Sequence, residues 1–454
     1  MNYHAIVIGA GAGGLVVARG AAKAGKRVLL VDKGTWGGDC TNFGCIPSKT
    51  LIAAAHQHKP EPLQLVRNTV RQVRSHEEPD ALRKLGVEVC TGMAKFVDAH
   101  TIDVDGNTYK GQKIVIATGS HPVIPPIDGL EGTPFLTNET VFDLEIVPNS
   151  LSFLGGGPIG CELAQAFRHL GSEIHMIIRS DRLLGKEDRD AGAVIGDVFK
   201  REGIHLHFNA QIENAQFSNQ SFTLNLRGNV PEVIQTDQLL VSTGRKPRLE
   251  QLNLQAAGVT HTEDGISVDA YGRTNQQHIY AIGDCNGRAL FTHYAEHMGR
   301  TVLRNLLAPG KQKIDQHFPP RCTFTFPEVA ALGLLEDDAR KQYHSVAVYK
   351  LPLSDVDRAV CEGHTDGFIK VITKKWSSKI LGAVIVAPRA GEMLEQLNVA
   401  HHFDIPLRKL SALIHPYPTF SRGVRKVADM WLTQTILGTL AKLQFWKKSK
   451  DTSH

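Results

Sequence analysis

A glycine-rich segment near the start of the chain, residues 9–14, lies between an apolar run at residues 4–8 and a helical pattern at residues 15–24. A second apolar run follows at residues 27–31 and ends in an acid. This strand, turn, helix and strand order with Gly-x-Gly-x-x-Gly spacing predicts a dinucleotide-binding βαβ unit. The predicted roles are Gly9 for the tight turn, Gly11 for close approach to a pyrophosphate, Gly14 for helix–strand packing and Asp32 for the ribose hydroxyls.

The same pattern occurs a second time. A strand is predicted at residues 151–154, a glycine loop at 155–160, a helix at 161–170 and a further strand at 173–178. Because each complete unit binds one nucleotide, the sequence predicts two nucleotides. The loop residues predicted to contact the second one are Gly155, Gly157 and Gly160.

The residue that follows the second unit differs from its counterpart in the first. At the spacing that leads from Gly14 to Asp32, the second unit leads from Gly160 to Ile178, with Arg179 next. An arginine in this place suits a 2′-phosphate better than a ribose diol, which favours NADPH over NADH. The alternative is that Arg179 is only a solvated residue at a strand end.

Two cysteines separated by four residues, Cys40 and Cys45, lie shortly after the first unit. The spacing allows a small disulfide ring at a helix start, where the helix dipole and the nearby Lys49 favour a thiolate. Lys49 is one helical turn past Cys45, so it can face the same cofactor. We interpret the pair as a redox centre, the alternative being two buried structural cysteines.

Later segments return the chain to the first unit. A buried strand at residues 113–120 ends in a Thr-Gly turn, and residues 239–247 repeat that pattern. A strand at residues 279–285 ends in an acid that suits a flavin's ribityl chain, and the helix that follows begins with Thr292 as a cap. The residues predicted here to contact cofactor are Thr118, Gly119, Gly244 and Asp284.

Composition excludes several functions. The net charge of +5 is spread over 51 basic and 46 acidic residues, which gives no reason to expect a nucleic-acid partner. Seven cysteines without a signal peptide indicate a cytoplasmic protein. No metal site is predicted, since the histidine pair at positions 293 and 297 has no evident third ligand. The apolar stretch 431–446 with its basic tail is interpreted as a packed C-terminal helix, contact with a membrane surface being the alternative.

The chain resembles the class I pyridine nucleotide-disulfide oxidoreductases, the FAD flavoproteins that include dihydrolipoamide dehydrogenase, glutathione reductase and mercuric reductase. The resemblance is carried, in the family's order, by residues 9–14, 40–49, 117–119, 155–162, 243–245 and 281–284. It implies an α/β fold with two Rossmann-like dinucleotide-binding domains and an α+β C-terminal dimerisation domain, hence a homodimer. The expected domains are an FAD-binding domain at 1–145 and 245–318, an NAD(P)-binding domain at 146–244 and an interface domain at 319–454.

The resemblance also implies a relay. Hydride from NADPH or NADH would reach the flavin of FAD, and the reduced flavin would attack the disulfide between Cys40 and Cys45. Cys45 would be the thiolate beside the flavin, and Cys40 the interchange thiol that meets the acceptor. Lys49 would pair with Glu162 beside the flavin and the nicotinamide. The partner subunit would normally lend a His-Glu pair as general acid and base.

The chain departs from the family at that last pair. The catalytic histidine falls on Tyr417 and the glutamate on Arg422. A phenol that titrates near pH 10 is a poor proton shuttle at neutral pH, which makes dihydrolipoamide and glutathione unfavourable substrates. A tyrosine at this place resembles the mercuric reductases, but these typically carry a second cysteine pair at the C-terminus, and here no cysteine follows Cys361. His415 is a weak candidate for a replacement acid.

Three hypotheses follow from the sequence. The first is an NAD(P)H oxidoreductase that reduces a small disulfide, a metal ion or another electrophile through Cys40 and Cys45. The second is a flavin-only diaphorase or quinone reductase in which the cysteines are vestigial. The third is a redox or metal-binding sensor with little turnover, for which Arg422 is the main reason.

Overall fold

The structure is a computed structural model that describes residues 2–228 and 231–438. It shows the α/β content that the sequence predicts. The strands are β1 (Asn2–Ile8), β2 (Val28–Asp32), β3 (Glu88–Thr91), β4 (Ala94–Phe96), β5 (Thr101–Val104), β6 (Asn107–Ile116), β7 (Ser120–Pro122), β8 (Ser150–Leu154), β9 (Glu173–Ile178), β10 (His205–Phe208), β11 (Gln211–Ser218), β12 (Ser221–Arg227), β13 (Val233–Thr236), β14 (Gln238–Val241), β15 (Arg245–Pro247), β16 (His261–Thr262), β17 (Gly265–Ile266), β18 (Ile279–Ala281), β19 (Arg321–Thr323), β20 (Glu328–Gly333), β21 (Val346–Pro352), β22 (Phe368–Lys374) and β23 (Ile380–Ala387).

The helices are α1 (Ala12–Lys23), α2 (Gly38–Asn42), α3 (Cys45–His56), α4 (Pro62–Arg74), α5 (Pro79–Lys84), α6 (Pro158–His169), α7 (Arg189–Arg201), α8 (Thr292–Leu307), α9 (Glu336–Gln342), α10 (Asp357–Glu362), α11 (Ala390–His402) and α12 (Arg422–Met430). The described residues form two compact units. The first draws on Met1–Gly155, Ala166–Ile177 and Ala210–His317, and the second on Gly156–Gln165, Ile178–Asn209 and Phe318–His454. The domain boundaries expected from the sequence stay predictions.

The largest sheet of the first unit has the strand order β3-β2-β1-β6-β5-β4, with β18 beside β6. Strands β1, β2, β3, β6 and β18 run parallel, while β4 and β5 are antiparallel additions. Successive side chains of β1 enter two different cores, Val7 on the side of α1 and α8 and Ile6 on the opposite side. Because both faces are covered, β1 reads as a continuous apolar run rather than an alternating one.

Two smaller sheets of this unit position further segments. Strand β8 pairs in parallel with β9 and with β14, as the second predicted βαβ unit requires. Strands β7 and β15 pair antiparallel, with Ser120 opposite Pro247 and Pro122 opposite Arg245. The two Thr-Gly turns identified in the sequence therefore lead into neighbouring strands.

The second unit contains an antiparallel sheet with the order β19-β20-β23-β22-β21. Its central strand β23 is buried along its whole length, and side chains of α11 and α12 share the core on one face of the sheet. Lys370 of β22 is buried and forms ion pairs with Asp188 at 2.9 Å and Asp190 at 2.7 Å. These pairs attach the N-terminus of α7 to the sheet within this unit.

The apolar stretch at the C-terminus is described in part. A helical segment, Trp431–Leu437, continues α12, and its Trp431 indole donates a hydrogen bond to the Lys375 carbonyl at 2.9 Å. Thr435 is buried and its hydroxyl lies 2.6 Å from that of Tyr349. This part packs on the second unit, whereas the remaining apolar and basic residues, 439–454, lie outside the described residues. Among the described helices, none has both the length and the apolar character needed to cross a membrane.

Candidate active site

The first glycine loop has the geometry of a dinucleotide site. Gly9 has φ +109°, and a Cβ atom there would lie 2.3 Å from the Ala117 carbonyl oxygen. A Cβ at Gly14 would lie 1.9 Å from the Gly9 carbonyl oxygen, so helix and strand approach as closely as the motif predicts. Helix α1 begins after Gly11 with no side-chain cap and no acid in its first turn. Its first N–H groups and the positive end of its dipole therefore suit a pyrophosphate.

Asp32 also accepts hydrogen bonds from backbone N–H groups, which the sequence did not indicate. Its Oδ2 accepts a hydrogen bond from the Ala10 N–H at 2.8 Å, and its Oδ1 accepts from the N–H groups of Gly34 and Thr35 at 2.9 and 2.7 Å. The carboxylate thus ties the glycine loop to the turn after β2. Since a carboxylate has about four acceptor positions, it retains capacity for the ribose hydroxyl that was predicted.

Cys40 and Cys45 lie in consecutive short elements of the first unit. Cys40 is in α2, and Cys45 is the first residue of α3, with Gly44 as its N-cap. Both are half-buried and present as free thiols. The predicted helix start is therefore at Cys45, where the dipole favours a thiolate.

The two thiols differ in their electrostatics. The pKa of Cys40 is raised well above the ordinary thiol range, chiefly by its hydrogen bond with Cys45 and then by burial. Both causes favour the protonated form of Cys40. The roles of Cys45 as the charged thiolate and of Cys40 as the interchange thiol stay predictions.

Thr292 approaches the pair from α8. Its Oγ1 lies 3.4 Å from the Sγ of Cys45. The prediction that Thr292 is the helix cap is wrong, because Phe291 is the N-cap and Thr292 is the first helical residue. Its hydroxyl is directed to sulfur instead of to the helix backbone.

Lys49 lies in the first unit and Glu162 in the second, and each forms a hydrogen bond within its own unit. The Lys49 ammonium donates to the Ser48 hydroxyl at 3.3 Å. Glu162 is buried, and its Oε1 accepts from the Phe324 N–H at 2.9 Å. The ion pair between Lys49 and Glu162 stays a prediction.

A polar network surrounds Asp284, which lies in a 3-10 turn after β18. Its Oδ2 accepts a hydrogen bond from the Ser120 hydroxyl at 2.6 Å, and Arg245 Nε donates to that same hydroxyl at 2.9 Å. Burial raises the pKa of Asp284, while the Ser120 hydrogen bond and the Arg245 charge oppose the shift. Thr118 instead donates to the Arg248 carbonyl at 2.9 Å. Ser120 was missed in the sequence, although it directly follows the Thr-Gly turn.

The second glycine loop is also tight. Gly155 has φ +122°, and a Cβ there would lie 2.6 Å from the Ser242 carbonyl oxygen. Helix α6 begins at Pro158, before the predicted start, with no acid in its first turn. Gly157 and Gly160 lie in this loop and first turn, Arg179 is exposed directly after β9, and Gly244 precedes β15. An exposed arginine at this strand end is free to meet a phosphate.

Tyr417 is 67% exposed, and the guanidinium of Arg422 lies 4.7 Å from the centroid of its ring. Arg422 Nη1 also pairs with Asp357 at 2.9 Å. Within the second unit the acid that neighbours this arginine is thus Asp357, and the tyrosine ring receives a cation–π contact. His415 Nε2 lies 2.9 Å from the Gln396 side-chain oxygen.

These features define a class of protein: an α/β enzyme with two dinucleotide sites and a pair of redox-capable thiols beside the first. Matches to known families identify it further. Residues 3–299 match the model of the pyridine nucleotide-disulphide oxidoreductases, and residues 319–428 match the dimerisation domain of the same family. The chain belongs to the pyridine nucleotide-disulphide oxidoreductase family. It is therefore a flavoprotein oxidoreductase that uses FAD and NAD(P)H.

Individual relatives support the assignment to this family. A mercuric reductase of Lysinibacillus sphaericus is 34% identical over 95% of this chain and 84% of its own length. A dihydrolipoyl dehydrogenase of Chlamydia muridarum is 33% identical over 96% of both chains. Among solved structures, the HOCl-induced flavoprotein disulfide reductase RclA from Escherichia coli has a TM-score of 0.89 and 29% identity, covering 94% of this chain and all of that one.

Proposed function

We propose that this protein passes electrons from NAD(P)H through FAD to the Cys40–Cys45 disulfide, and from the reduced thiols to a thiophilic metal ion or another small electrophile. The single observation that carries the choice of acceptor is the Arg422 guanidinium packed against Tyr417, at the two positions where the family resemblance implies a glutamate and a histidine. The proposal includes a homodimer, which the match to the dimerisation domain supports.

The chemistry of the two acceptor classes explains this choice. When a disulfide is reduced by thiol exchange, the departing thiolate has to be protonated, and a general acid accelerates that step. When a soft metal ion is reduced, electrons are transferred and no leaving group needs a proton. Arg422, which pairs with Asp357, cannot act as a general acid, because a guanidinium group does not release its proton in proteins. A proton-independent acceptor is therefore the better fit.

The thiol pair carries the electrons in a balanced step. FAD, when bound, supplies the two-electron carrier between the nicotinamide and the thiols. Reduction breaks the Sγ–Sγ bond with two electrons and one proton, leaving the proton on Cys40 and the negative charge on Cys45. The raised pKa of Cys40 supports this division. Reoxidation re-forms the bond, releases the proton and delivers two electrons to the acceptor, as one two-electron or two one-electron reductions.

The names of relatives support a metal acceptor. Several relatives are mercuric reductases, and a Cu(II) complex of RclA has been solved. RclA is also named a disulfide reductase. We propose Cys40 as the thiol that meets the acceptor, with Lys49 and Glu162 as the ion pair beside the flavin and nicotinamide. Arg179 is proposed to select NADPH.

An anaerobic titration tests the relay. The holoenzyme should take up four electrons per subunit, two for FAD and two for the disulfide, and should develop a long-wavelength thiolate-to-flavin absorbance. That absorbance should vanish in Cys45→Ser. Uptake of two electrons with unchanged turnover in the variant would support a flavin-only diaphorase. Absence of reduction by NADPH or NADH would support a sensor.

A second assay tests the acceptor. The NADPH-dependent rate is compared for Hg²⁺, Cu²⁺, oxidised glutathione and lipoamide, in the wild type and in Tyr417→Phe. We expect turnover with a metal ion to exceed turnover with either disulfide and to change less than twofold in the variant, since no proton transfer is needed there. Faster turnover of a disulfide, lost in Tyr417→Phe, would contradict the proposal.

A further inference from the structure

Helix α2, which carries Cys40, is five residues long. A helix of this length has almost no stability of its own, because nucleation is unfavourable and few hydrogen bonds are gained. The contacts that α2 makes with other elements therefore decide where the Cys40 thiol lies. One side chain, Arg245 of β15, reaches this helix by two routes.

The first route is direct. Arg245 Nη2 lies 3.1 Å from Oδ1 of Asp39, the residue that precedes Cys40. This is an ion pair rather than an aligned hydrogen bond. The Oδ1 atom is buried, and among the described residues it accepts no hydrogen bond. Arg245 is thus the positive group that directly compensates this oxygen.

The second route reaches the other end of the helix. Arg245 Nη1 donates to the Asn138 side-chain oxygen at 3.1 Å, and the Asn138 amide donates to the carbonyl of Phe43 at 3.4 Å. Phe43 is the C-cap of α2. The guanidinium therefore contacts the first turn directly and the last turn through one amide.

The guanidinium is itself held firmly. Its Nε donates to the Ser120 hydroxyl and its Nη2 to the Ser120 carbonyl, at 2.9 and 3.2 Å, and the side chain is only 13% exposed. The Ser120 hydroxyl in turn donates to Asp284. A planar fork with five donors can satisfy Ser120, Asn138 and Asp39 together, which a lysine ammonium cannot do in the same geometry.

We propose that Arg245 is a positioning residue for Cys40, which holds α2 in place and neutralises Asp39, so that removing the proton from the adjacent interchange thiol costs less free energy. This inference rests on the proposed function, in which Cys40 meets the acceptor. Without Arg245, the uncompensated Asp39 carboxylate would disfavour a second negative charge on the adjacent residue. Without the Asp39 charge, Arg245 would favour that negative charge.

Other charged and titratable groups also surround α2, and they stay unchanged in the variants below. They are Cys45 and Lys49 on α3, which contacts α2, Arg74 on α4, Glu77 after α4, and Asp284. Because these groups are common to all variants, a difference between variants reports the Asp39–Arg245 pair.

The test measures alkylation of Cys40 by iodoacetamide in the reduced holoenzyme between pH 6 and 10, with Cys40 and Cys45 resolved by mass spectrometry. Arg245→Met should slow Cys40 alkylation at pH 7 by about fivefold and move its pH profile upward. Asp39→Asn, which is nearly isosteric, should accelerate it and move the profile downward. The double variant should return to the wild-type profile.

The matched control is Glu139→Gln. Glu139 pairs with Arg248 at 3.0 Å, and among the described residues no hydrogen bond or ion pair joins either side chain to α2. This variant should leave the Cys40 profile unchanged. Shifts of the same sign in Arg245→Met and Asp39→Asn, or no shift in Asp39→Asn, would overturn the proposal. The comparison requires no acceptor, so it stays informative if the proposed metal acceptor is refuted, whereas failure of the titration above refutes the relay itself.

Discussion

The hydroxyl oxygen of Thr292 lies 3.4 Å from the sulfur of Cys45. The first residue of α8 is thereby brought to the first residue of α3, although 247 positions separate them. A hydroxyl can donate a hydrogen bond to a thiolate, and bonds to charged groups are stronger than bonds to neutral ones. The contact therefore favours the charged form of Cys45.

Replacement of Thr292 tests this relationship. In Thr292→Val the shape is nearly kept and the donor is lost, so the proton affinity of the reduced Cys45 thiolate should rise about tenfold, corresponding to ~1.5 kcal/mol. The long-wavelength absorbance of the reduced holoenzyme, titrated against pH, measures this change as an upward shift of its midpoint. Thr292→Ser, which keeps the hydroxyl, is the control. An unchanged midpoint in the valine variant would show that the contact does not stabilise the thiolate.

Glu328 of β20 gives a pH-dependent contribution to stability. Burial raises its pKa to about 7, against the opposing hydrogen bond from the Gly391 N–H at the start of α11. Because the folded pKa is above the unfolded value of 4.5, the stabilisation is complete below pH 4.5 and is lost as pH rises towards 7.

Glu328→Gln removes this titration and keeps an acceptor for Gly391. We expect the free energy of unfolding of the variant, relative to that of the wild type, to increase by about 2–3 kcal/mol from pH 5 to pH 8. Urea unfolding of both proteins at the two pH values measures this increase. An equal difference at both pH values would mean that Glu328 titrates normally in the folded protein.

Arg179→Ala should raise the Michaelis constant for NADPH about tenfold and leave that for NADH nearly unchanged, because only NADPH carries the 2′-phosphate that the guanidinium would bind. Steady-state kinetics with both nucleotides measure the ratio. Lys186→Ala removes another exposed cation of the same loop and should have a much smaller effect. Equal changes for the two nucleotides would refute the assignment.

Gly14→Ala tests the packing of the first nucleotide unit. The added Cβ would lie 1.9 Å from a backbone oxygen of Gly9, so α1 has to move from β1. We expect the free energy of unfolding to fall by ~3 kcal/mol or more and the purified variant to contain little FAD. Thermal unfolding measures the first effect, and the flavin-to-protein absorbance ratio measures the second. Gly25→Ala is the control, since among the described residues no atom beyond its chain neighbours lies within 4 Å of its Cβ position, and only the positive φ is strained, at about 1 kcal/mol.

Local patterns predicted much of the fold. Strand β9 lies at the predicted residues, and β8 agrees to within a residue, because apolar runs bounded by glycine turns specify short buried strands. The predicted start of helix α6, after the last loop glycine, is three residues too late, because Pro158 suits a first helical turn.

Thr292 shows where such patterns fail. A threonine before a helical run is typical of a cap, but here the chain enters the helix one residue earlier, and the hydroxyl meets a sulfur distant in sequence. Spacing along one segment carries no information about what a different segment brings to it. The same limit applies to Asp32, which accepts a hydrogen bond from the Ala10 N–H, a group 22 positions away in the sequence.

By itself, the sequence determined the two nucleotide units, the redox pair and the family, since glycine spacing, cysteine spacing and the order of strands and helices can be recognised within short stretches of sequence. Only the tertiary structure decided how the pair is controlled. The pairing of β7 with β15 brings Arg245 to Asp39, and the start of α8 brings Thr292 to Cys45. The physical reason is that hydrogen bonds and ion pairs act over a few ångströms, and folding alone brings residues that are hundreds of positions apart within that range.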